Sequence, residues 1–383
     1  MKEKVLKFGS YVLVAALAAV VTLATVGVRD ISKLDRLEGL IQECYIGEAD
    51  EQELEDAAAV AMVKATGDRW SYYIPADEYS DHVEREENAY VGVGITIQPQ
   101  EDESGFLILM VTEGGPAQEA GIEANDLLIG VEEQDIRDMS MDEVRELIRG
   151  KEGTKVALTV MRKGEHMTLS VERRRIEETV ARGEMLDDGI GLVQIFNFDE
   201  RCADESIEVI ERLRSEGAKK LIFDVRNNPG GFADELVELL DYLLPEGDLF
   251  RTVSYDGKEQ VDTSDADFLD MPMAVLVNGD SYSAAEFFAA ALREYGVAVV
   301  VGEQTCGKGY FQQTYQLSDG SAVGLSVGKY STPNGVSLAE VGGLTPDIVV
   351  EVDEETAAQI YAATLDPAED PQIQAAVEAL QSK

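Results

Sequence analysis

The sequence predicts an α/β chain of several domains, an α+β multidomain protein, on three observations. Between 175 and 352, apolar runs of strand length alternate with helical runs: strand at 191–196, helix at 203–216, strand at 221–225, helix at 233–244, strand at 274–277, helix at 284–293 and strand at 297–301. Strand–helix alternation of this kind builds a layered core with partly parallel strands. Between 90 and 174 the pattern changes to short alternating runs broken by glycine turns, with one amphipathic helix, which reads as a separate β-rich domain. The two ends, 30–89 and 353–383, read as helical. A chain of 383 residues has room for two to three domains, and 45% hydrophobic content is enough for separate cores.

Composition narrows the function. Lys plus Arg is 32 and Asp plus Glu is 75, a formal charge of −43. Such a field repels phosphate backbones, so nucleic acid is not an expected partner. The three cysteines, Cys44, Cys202 and Cys306, are widely spaced and make neither a disulfide framework nor a CxxC metal pattern. There are two histidines, His82 in an acidic helical stretch and His166 in a turn, and both read as surface residues. HExxH is absent, so a zinc peptidase is not expected, and neither a metal site nor a cofactor is expected.

Taken in order, the chain opens with Lys2, Lys4 and Lys7, then a run at 8–28 without a charged residue. That run is about as long as a bilayer core requires. Lysines before it and acid-rich sequence after it place the N-terminus inside and the bulk outside. We read residues 1–29 as an uncleaved anchor in preference to a removed signal, since no A-x-A cleavage site stands out. Over 30–89, Leu34, Leu37, Leu40 and Ile41 recur at helical spacing, as do Leu54, Ala57, Ala58, Ala61 and Met62. The aromatic break at 70–75 is followed by another acidic helix to about Asn88. In the β-rich domain, 106–111 is a strand, 141–149 an amphipathic helix, and 155–162 with 167–173 a hairpin about Lys163 and Gly164.

The chemistry concentrates at 274–313. Ser281 and Ser283 lie between an apolar strand and a helix, and both are candidate nucleophiles. A serine on a sharp strand-to-helix turn is exposed beside backbone N–H groups that can hold an oxyanion. Ser281 suits a turn or capping role. Ser283 immediately precedes the helical run, which makes the Ala284 N–H an oxyanion donor. Lys308 sits between Gly307 and Gly309 just past the second strand. A lysine is a poor base at its reference pKa of about 10.4, but an apolar setting lowers that value and lets a neutral amine accept a serine proton. Gln312 can orient the lysine without adding charge. Cys306 is a rival nucleophile with no histidine nearby in sequence to activate it.

Two glycine-rich loops complete the reading. The stretch 302–309 nearly spells a phosphate-binding GxxxxGK[ST] loop, but Gly309 lacks the hydroxyl that magnesium requires, and the sequence after it alternates like a strand. DVRNNPGG at 224–231 joins a buried strand to a helix, and Gly230 or Gly231 is the expected second oxyanion donor.

GGPAQEAGIEANDLLIGVEEQDI followed by a helix and KVALTVMRKGE resembles a PDZ domain along most of its length. The resemblance implies capture of a free C-terminus by strand addition, with backbone N–H groups of Val91, Gly92, Val93, Gly94 and Ile95 holding the carboxylate. Together with DVRNNPGG, VNGDSYSAAE, VGEQTCGKGYFQ and GGLTPDIVV, residues 30–383 resemble the carboxyl-terminal processing peptidases, or tail-specific proteases. Members of that family carry a serine, a lysine and a glutamine at the intervals seen here from 283 to 308 and from 308 to 312, which selects Ser283 over Ser281. The family usually has alanine between the two serines and a third serine after them; this chain has Tyr282 and Ala285.

The resemblance implies a crotonase/ClpP-like α/β protease core over 175–352, cleavage near protein C-termini, and a place outside the cytoplasm. It also implies a PDZ domain at 90–174 that presents substrate and is a candidate gate, with Arg162 as a candidate gating contact. Helical ends imply a homodimer. The leading expectation is a membrane-anchored serine endopeptidase with a Ser283–Lys308 dyad assisted by Gln312. Its rival is a catalytically silent PDZ scaffold that binds protein C-termini.

Overall fold

The computed structural model describes residues 32–100 and 104–382, and the chain separates into two compact units, one ending at Pro75 and one starting at Ala76. The apolar run at 8–28 lies outside the described residues. Among those described, no helix is long and apolar enough to cross a membrane.

The first unit holds α1 (Lys33–Cys44), α2 (Glu51–Lys64) and β1 (Tyr72–Ile74). Ser32 caps α1 in a reciprocal capping box with Asp35, and Asp50 caps α2 through the Glu53 N–H. Neither helix buries a residue fully. Their apolar stripes instead line a cleft of about 300 Å³ between Leu34, Leu37, Ile41, Leu54, Ala58 and Met62.

The second unit opens with α3 (Tyr79–Glu86), so the expected helical domain at 30–89 is divided. The reason is polar. Arg149 pairs with Asp81 and Glu84 on α3, and Glu84 accepts the Val91 N–H. Next, β2 (Ala89–Gly92) pairs antiparallel with β9 (Arg174–Glu177). This ribbon carries the whole β-rich domain between its strands: β3 (Ile95–Pro99), β4 (Phe106–Val111), α4 (Pro116–Glu119), β5 (Leu127–Val131), β6 (Gln134–Asp135), α5 (Met141–Ile148), β7 (Lys155–Arg162) and β8 (Glu165–Glu172). The sheet order is β3-β4-β5-β7-β8, with β6 on β5, so β3 is an edge strand. Phe106, Ile108, Leu128, Val144, Leu158 and Val171 fill a core of its own.

The remainder is the layered core. It comprises β10 (Ala181–Leu186), β11 (Ile190–Ile195), α6 (Cys202–Glu216), β12 (Lys220–Asp224), α7 (Ala233–Leu243), β13 (Gly247–Ser254), β14 (Glu259–Ser264), β15 (Met273–Val277), α8 (Ala284–Glu294), β16 (Ala298–Gly302), β17 (Tyr310–Gln316), β18 (Ala322–Ser331), α9 (Leu338–Val341), β19 (Ile348–Val349), α10 (Glu354–Tyr361) and α11 (Pro371–Gln381). The main sheet runs β10-β11-β12-β15-β16-β19, and all but β10 are parallel. The period-2 alternation of its strands decides the layers. Val193, Phe223, Val275 and Val300 face α6, α7 and α8, whereas Leu192, Ile222, Ala274 and Val301 face Ile373, Ala376 and Leu380 of α11.

The expected boundary at 352/353 is therefore no structural boundary, because α11 covers one face of the sheet. The hairpin β13–β14 and the antiparallel strand β10 have no counterpart in the sequence reading. Their charged residues (Asp248, Arg251, Glu259, Asp262; Arg182, Glu184) hide the alternation.

Candidate active site

Three loops leave the carboxyl ends of neighbouring parallel strands β12, β15 and β16, which is where open α/β sheets place their sites. They carry DVRNNPGG, the serine turn and the lysine turn, respectively.

Ser283 stands at φ 59°, ψ −128°, a region that non-glycine residues seldom occupy. It is 7% exposed and sits at the N-terminus of α8, so the Ala284 N–H is one of the first, unpaired donors of the helix. The strained turn is held by what surrounds it. Tyr282 N–H donates to Asn228 O at 3.1 Å, and Ser283 N–H donates to Glu286 Oε2 at 3.1 Å. Ser283 Oγ lies 2.8 Å from Tyr330 Oη. Ser281 is a structural stitch: its Oγ donates to Val225 O at 2.7 Å and accepts from Asn278 N–H at 3.0 Å.

Glu286 is the residue that sequence reasoning missed. It is fully buried one turn into α8. Its Oε1 accepts from the Thr305 hydroxyl and from Gly307 N–H at 2.7 Å, and its Oε2 accepts from Lys308 N–H at 2.9 Å as well as from Ser283 N–H. One carboxylate oxygen thus binds the backbones of both Ser283 and Lys308. Burial pushes the Glu286 carboxyl above its usual range, and these four hydrogen bonds oppose that shift. With two donors on each oxygen there is no acceptor left for a proton, so the ionised form is the one this geometry fits. The spacing of a glutamate three residues into a helix after a serine is the signal that could have found it.

The Lys308 ammonium lies 5.8 Å from the centre of the Tyr282 ring, and the side chain is half-buried. Burial, with lesser contributions from Cys306, Asp280 and Asp199, raises the Tyr282 hydroxyl pKa. Gln312 lies at a bulge in β17, and its Nε2 donates to Tyr310 O at 3.1 Å and Ser326 Oγ at 3.0 Å. His82 sits 3.2 Å from Glu86 on α3, and His166 is on β8 of the β-rich domain.

The DVRNNPGG loop is built from the strand outward. Arg226 is buried and binds Asp224 through Nε (2.8 Å) and Nη2 (2.6 Å), and Asp370 (2.8 Å) and Gln372 (2.9 Å) through Nη1. Burial alone would lower its pKa, but the two carboxylates hold it above its ordinary value. Asn227 and Asn278 exchange hydrogen bonds of 2.9 and 2.8 Å, tying the loop to the serine turn.

Gly230 takes φ 89°, and a Cβ there would come 2.6 Å from Ser283 Cβ and 2.9 Å from Ala284 N, so only glycine fits. One expectation needs correcting. Gly230 N–H donates to Asn228 Oδ1 at 2.8 Å and is not available to an oxyanion. Gly231 pairs with Phe198 in a parallel bridge, and its missing Cβ accommodates the Phe198 backbone.

On the far side of that bridge is a second network. Phe198 N–H donates to Gly230 O at 2.7 Å, and Phe232 N–H donates to Phe198 O at 2.7 Å. Asn197 and Asn88 exchange side-chain hydrogen bonds of 2.6 and 3.1 Å. Arg201, itself at φ 74°, donates to Glu87 O (2.8 Å), Asn88 O (3.0 Å) and Glu178 O (2.8 Å). Asn88 and Glu178 adjoin the same end of the ribbon β2–β9, where Ala89 pairs with Glu177. Asp199, within this segment, is pushed up to about 7 by burial and by the neighbouring carboxylates of Glu86 and Glu235.

Within the β-rich domain, Val91 and Gly92 belong to the ribbon, paired with Arg175 and Arg174, while Val93 and Gly94 form the loop entering edge strand β3 at Ile95. The expected gating contact, Arg162, is engaged inside its own domain. It binds Asp126 twice at 2.6 Å, Glu123 at 2.7 Å and Gly121 O at 2.8 Å.

The fold and site define a serine peptidase core joined to a PDZ domain, and comparison with known proteins agrees. Peptidase family S41 matches residues 189–350, and the PDZ domain matches residues 82–161. The carboxy-terminal processing protease CtpA of Bacillus subtilis is 32% identical over 334 residues, covering 86% of this chain and 71% of the relative. A CtpA-like serine protease of Staphylococcus aureus is 30% identical over 327 residues, covering 84% of this chain and 65% of that protein. A crystal structure of an S41 protease from Bacteroides fragilis shares the fold, with TM-score 0.53 and 15% identity over 90% of this chain and 96% of that one. The chain belongs to peptidase family S41, among the CtpA-like carboxy-terminal processing serine proteases.

Proposed function

We propose that this chain is an extracytoplasmic endopeptidase that cuts proteins near their C-termini, with Ser283 as nucleophile and Lys308 as general base. The observation that carries the reading is the shared carboxylate: Glu286 Oε2 accepts the N–H of both residues, so two turns far apart in sequence are pinned to one point. Neutral Lys308 takes the Ser283 proton as Oγ bonds to the scissile carbonyl carbon and the carbonyl electron pair moves onto oxygen. The Ala284 and Gly231 N–H groups hold that oxyanion. Collapse breaks the C–N bond, and Lys308 returns the proton to the leaving amine. Water then hydrolyses the ester by the same route in reverse. Gln312, close in sequence and on the strand that follows the lysine turn, orients the lysine.

The PDZ domain captures the substrate C-terminus by adding it to edge strand β3, with Val93, Gly94 and Ile95 at the carboxylate loop. Gating is supported by the Asn88–Asn197–Arg201 network, which connects the ribbon under the PDZ domain to the Gly230–Gly231 loop. Location outside the cytoplasm rests on the basic then apolar N-terminal sequence, and a homodimer is supported by Leu34, Leu37 and Leu40 exposed on α1.

The test is hydrolysis of β-casein by wild type, Ser283→Ala and Lys308→Ala. Each variant is expected to lose at least about 10³-fold in kcat. Equal activity in all three overturns the dyad, and C-terminal peptide binding without turnover by wild type would make the chain a scaffold.

A further inference from the structure

We infer that Tyr330 is a positioning residue for the peptidase reaction, its hydroxyl donating to Ser283 Oγ and committing the serine's own proton to the lysine side. The inference rests on the reading of Ser283 as nucleophile. Tyr330 Oη lies 2.8 Å from Ser283 Oγ, and Tyr330 is 5% exposed, so no bulk water competes for that contact. Its ring is fixed edge-on to Phe287 at 4.5 Å between centroids, with Phe250 at 5.3 Å and Phe311 stacked at 6.4 Å. Its backbone N–H donates to Gly309 O at 3.2 Å, on the far side of Lys308. One residue therefore touches both turns: the serine through its hydroxyl and the lysine turn through its amide.

Two hydroxyls facing each other can share one hydrogen bond in either direction. Burial raises the Tyr330 pKa well above the phenol range, with the Ser283 bond opposing, so Tyr330 holds its proton at working pH. A phenol is also a better donor and a poorer acceptor than an alcohol. With Tyr330 donating, one Ser283 lone pair is occupied and the serine O–H must point elsewhere. As Ser283 loses that proton to Lys308, the charge developing on Oγ meets a fixed donor. In deacylation the C–Oγ bond breaks, the electron pair returns to Oγ, Lys308 restores its proton, and Tyr330 again steadies the departing oxygen. Tyr330 keeps its own proton throughout. A bond that strengthens as charge forms or leaves at Oγ changes kcat more than KM.

The experiment compares wild type, Tyr330→Phe and Ser283→Ala in hydrolysis of fluorescein-labelled β-casein and in the rate of labelling by a fluorophosphonate probe. Tyr330→Phe keeps the ring and its packing. Its kcat is expected to fall about 10- to 100-fold with KM within about twofold, and labelling is expected to slow in parallel. Wild-type or faster turnover and labelling by Tyr330→Phe, with Ser283→Ala inactive, overturns the inference; the faster case would make the contact a resting latch. Activity and labelling retained by Ser283→Ala would instead overturn the nucleophile reading. If Tyr330→Phe does not fold, trifluorotyrosine placed at position 330 keeps shape and hydroxyl while acidifying it. The alkaline limb of the kcat profile is then expected at lower pH, and a profile identical to wild type overturns the inference.

Discussion

The Gly230–Gly231 loop lies between two carboxyl groups, fully buried Glu286 and half-buried Asp199, which burial shifts upward alike but which sit among opposite neighbours. On one side Glu286 is ringed by donors: two backbone turns and a threonine hydroxyl saturate its oxygens. On the other side Asp199 is ringed by acids, Glu86 and Glu235, and its pKa is pushed up to about 7. The first arrangement holds geometry, because four donors converge on the two oxygens and oppose the upward shift that burial imposes. The second changes charge near neutrality, at the segment that links the ribbon β2–β9 to the Gly230–Gly231 loop. A buried carboxyl group thus fixes structure where donors converge on it and responds to conditions where acids do.

The contrast can be tested from the Glu286 side first. Glu286→Gln keeps the volume but removes one acceptor oxygen, leaving at least one turn without its partner. Its kcat on β-casein is expected to fall about 10²-fold, and its stability by roughly 2–3 kcal/mol in urea melts. An unchanged urea midpoint with full activity would show that the shared carboxylate does not hold the two turns.

A smaller effect is expected at Arg201. Arg201→Ala removes three hydrogen bonds to one end of the ribbon while touching neither Ser283 nor Lys308. Turnover is expected to change about tenfold, in a way no longer sensitive to a C-terminal peptide that occupies the PDZ domain. Retained peptide sensitivity would remove Arg201 from the coupling path.

The smallest effect is a pH dependence at Asp199. Its folded pKa, about 7, lies above the ordinary carboxyl value, so the folded chain binds the proton more tightly than the unfolded one. The sign follows: stability falls as pH rises from about 4 to about 7, and the penalty is complete above that window. Asp199→Asn removes the charge, so it is expected to raise stability by roughly 1 kcal/mol at pH 8 and by less at pH 5. Equal gains at both pH values would place the titrating group elsewhere.

Much of this protein was legible in its residues, and the illegible part has a common cause. The alternation of β11, β12, β15 and β16 with α6, α7 and α8 showed directly in the apolar runs, because each face of a buried strand repeats every second residue. The serine turn, the lysine turn and the glycine loop were found from motif and spacing. Glu286 went unnoticed because a glutamate in a helix reads as a solvated charge until its partners at 305, 307 and 308 are folded onto it. The Gly230 N–H seemed free for an oxyanion until Asn228, two residues away, folded back onto it. Arg162 looked available for gating until Asp126 and Glu123, distant in sequence, closed around it.

The sequence by itself determined the layered α/β core, the β-rich domain before it and the places of the serine and lysine turns in the chain. Those properties rest on periodicity, residue counts and short motifs, all of which are local. Only the tertiary structure decided that one carboxylate oxygen joins both turns, that α11 belongs to the core, and that the ribbon β2–β9 reaches the Gly230–Gly231 loop through Asn88, Asn197 and Arg201. These depend on which distant polar groups meet out of water. Burial makes each such pairing obligatory, but the sheet order and crossovers choose the partners.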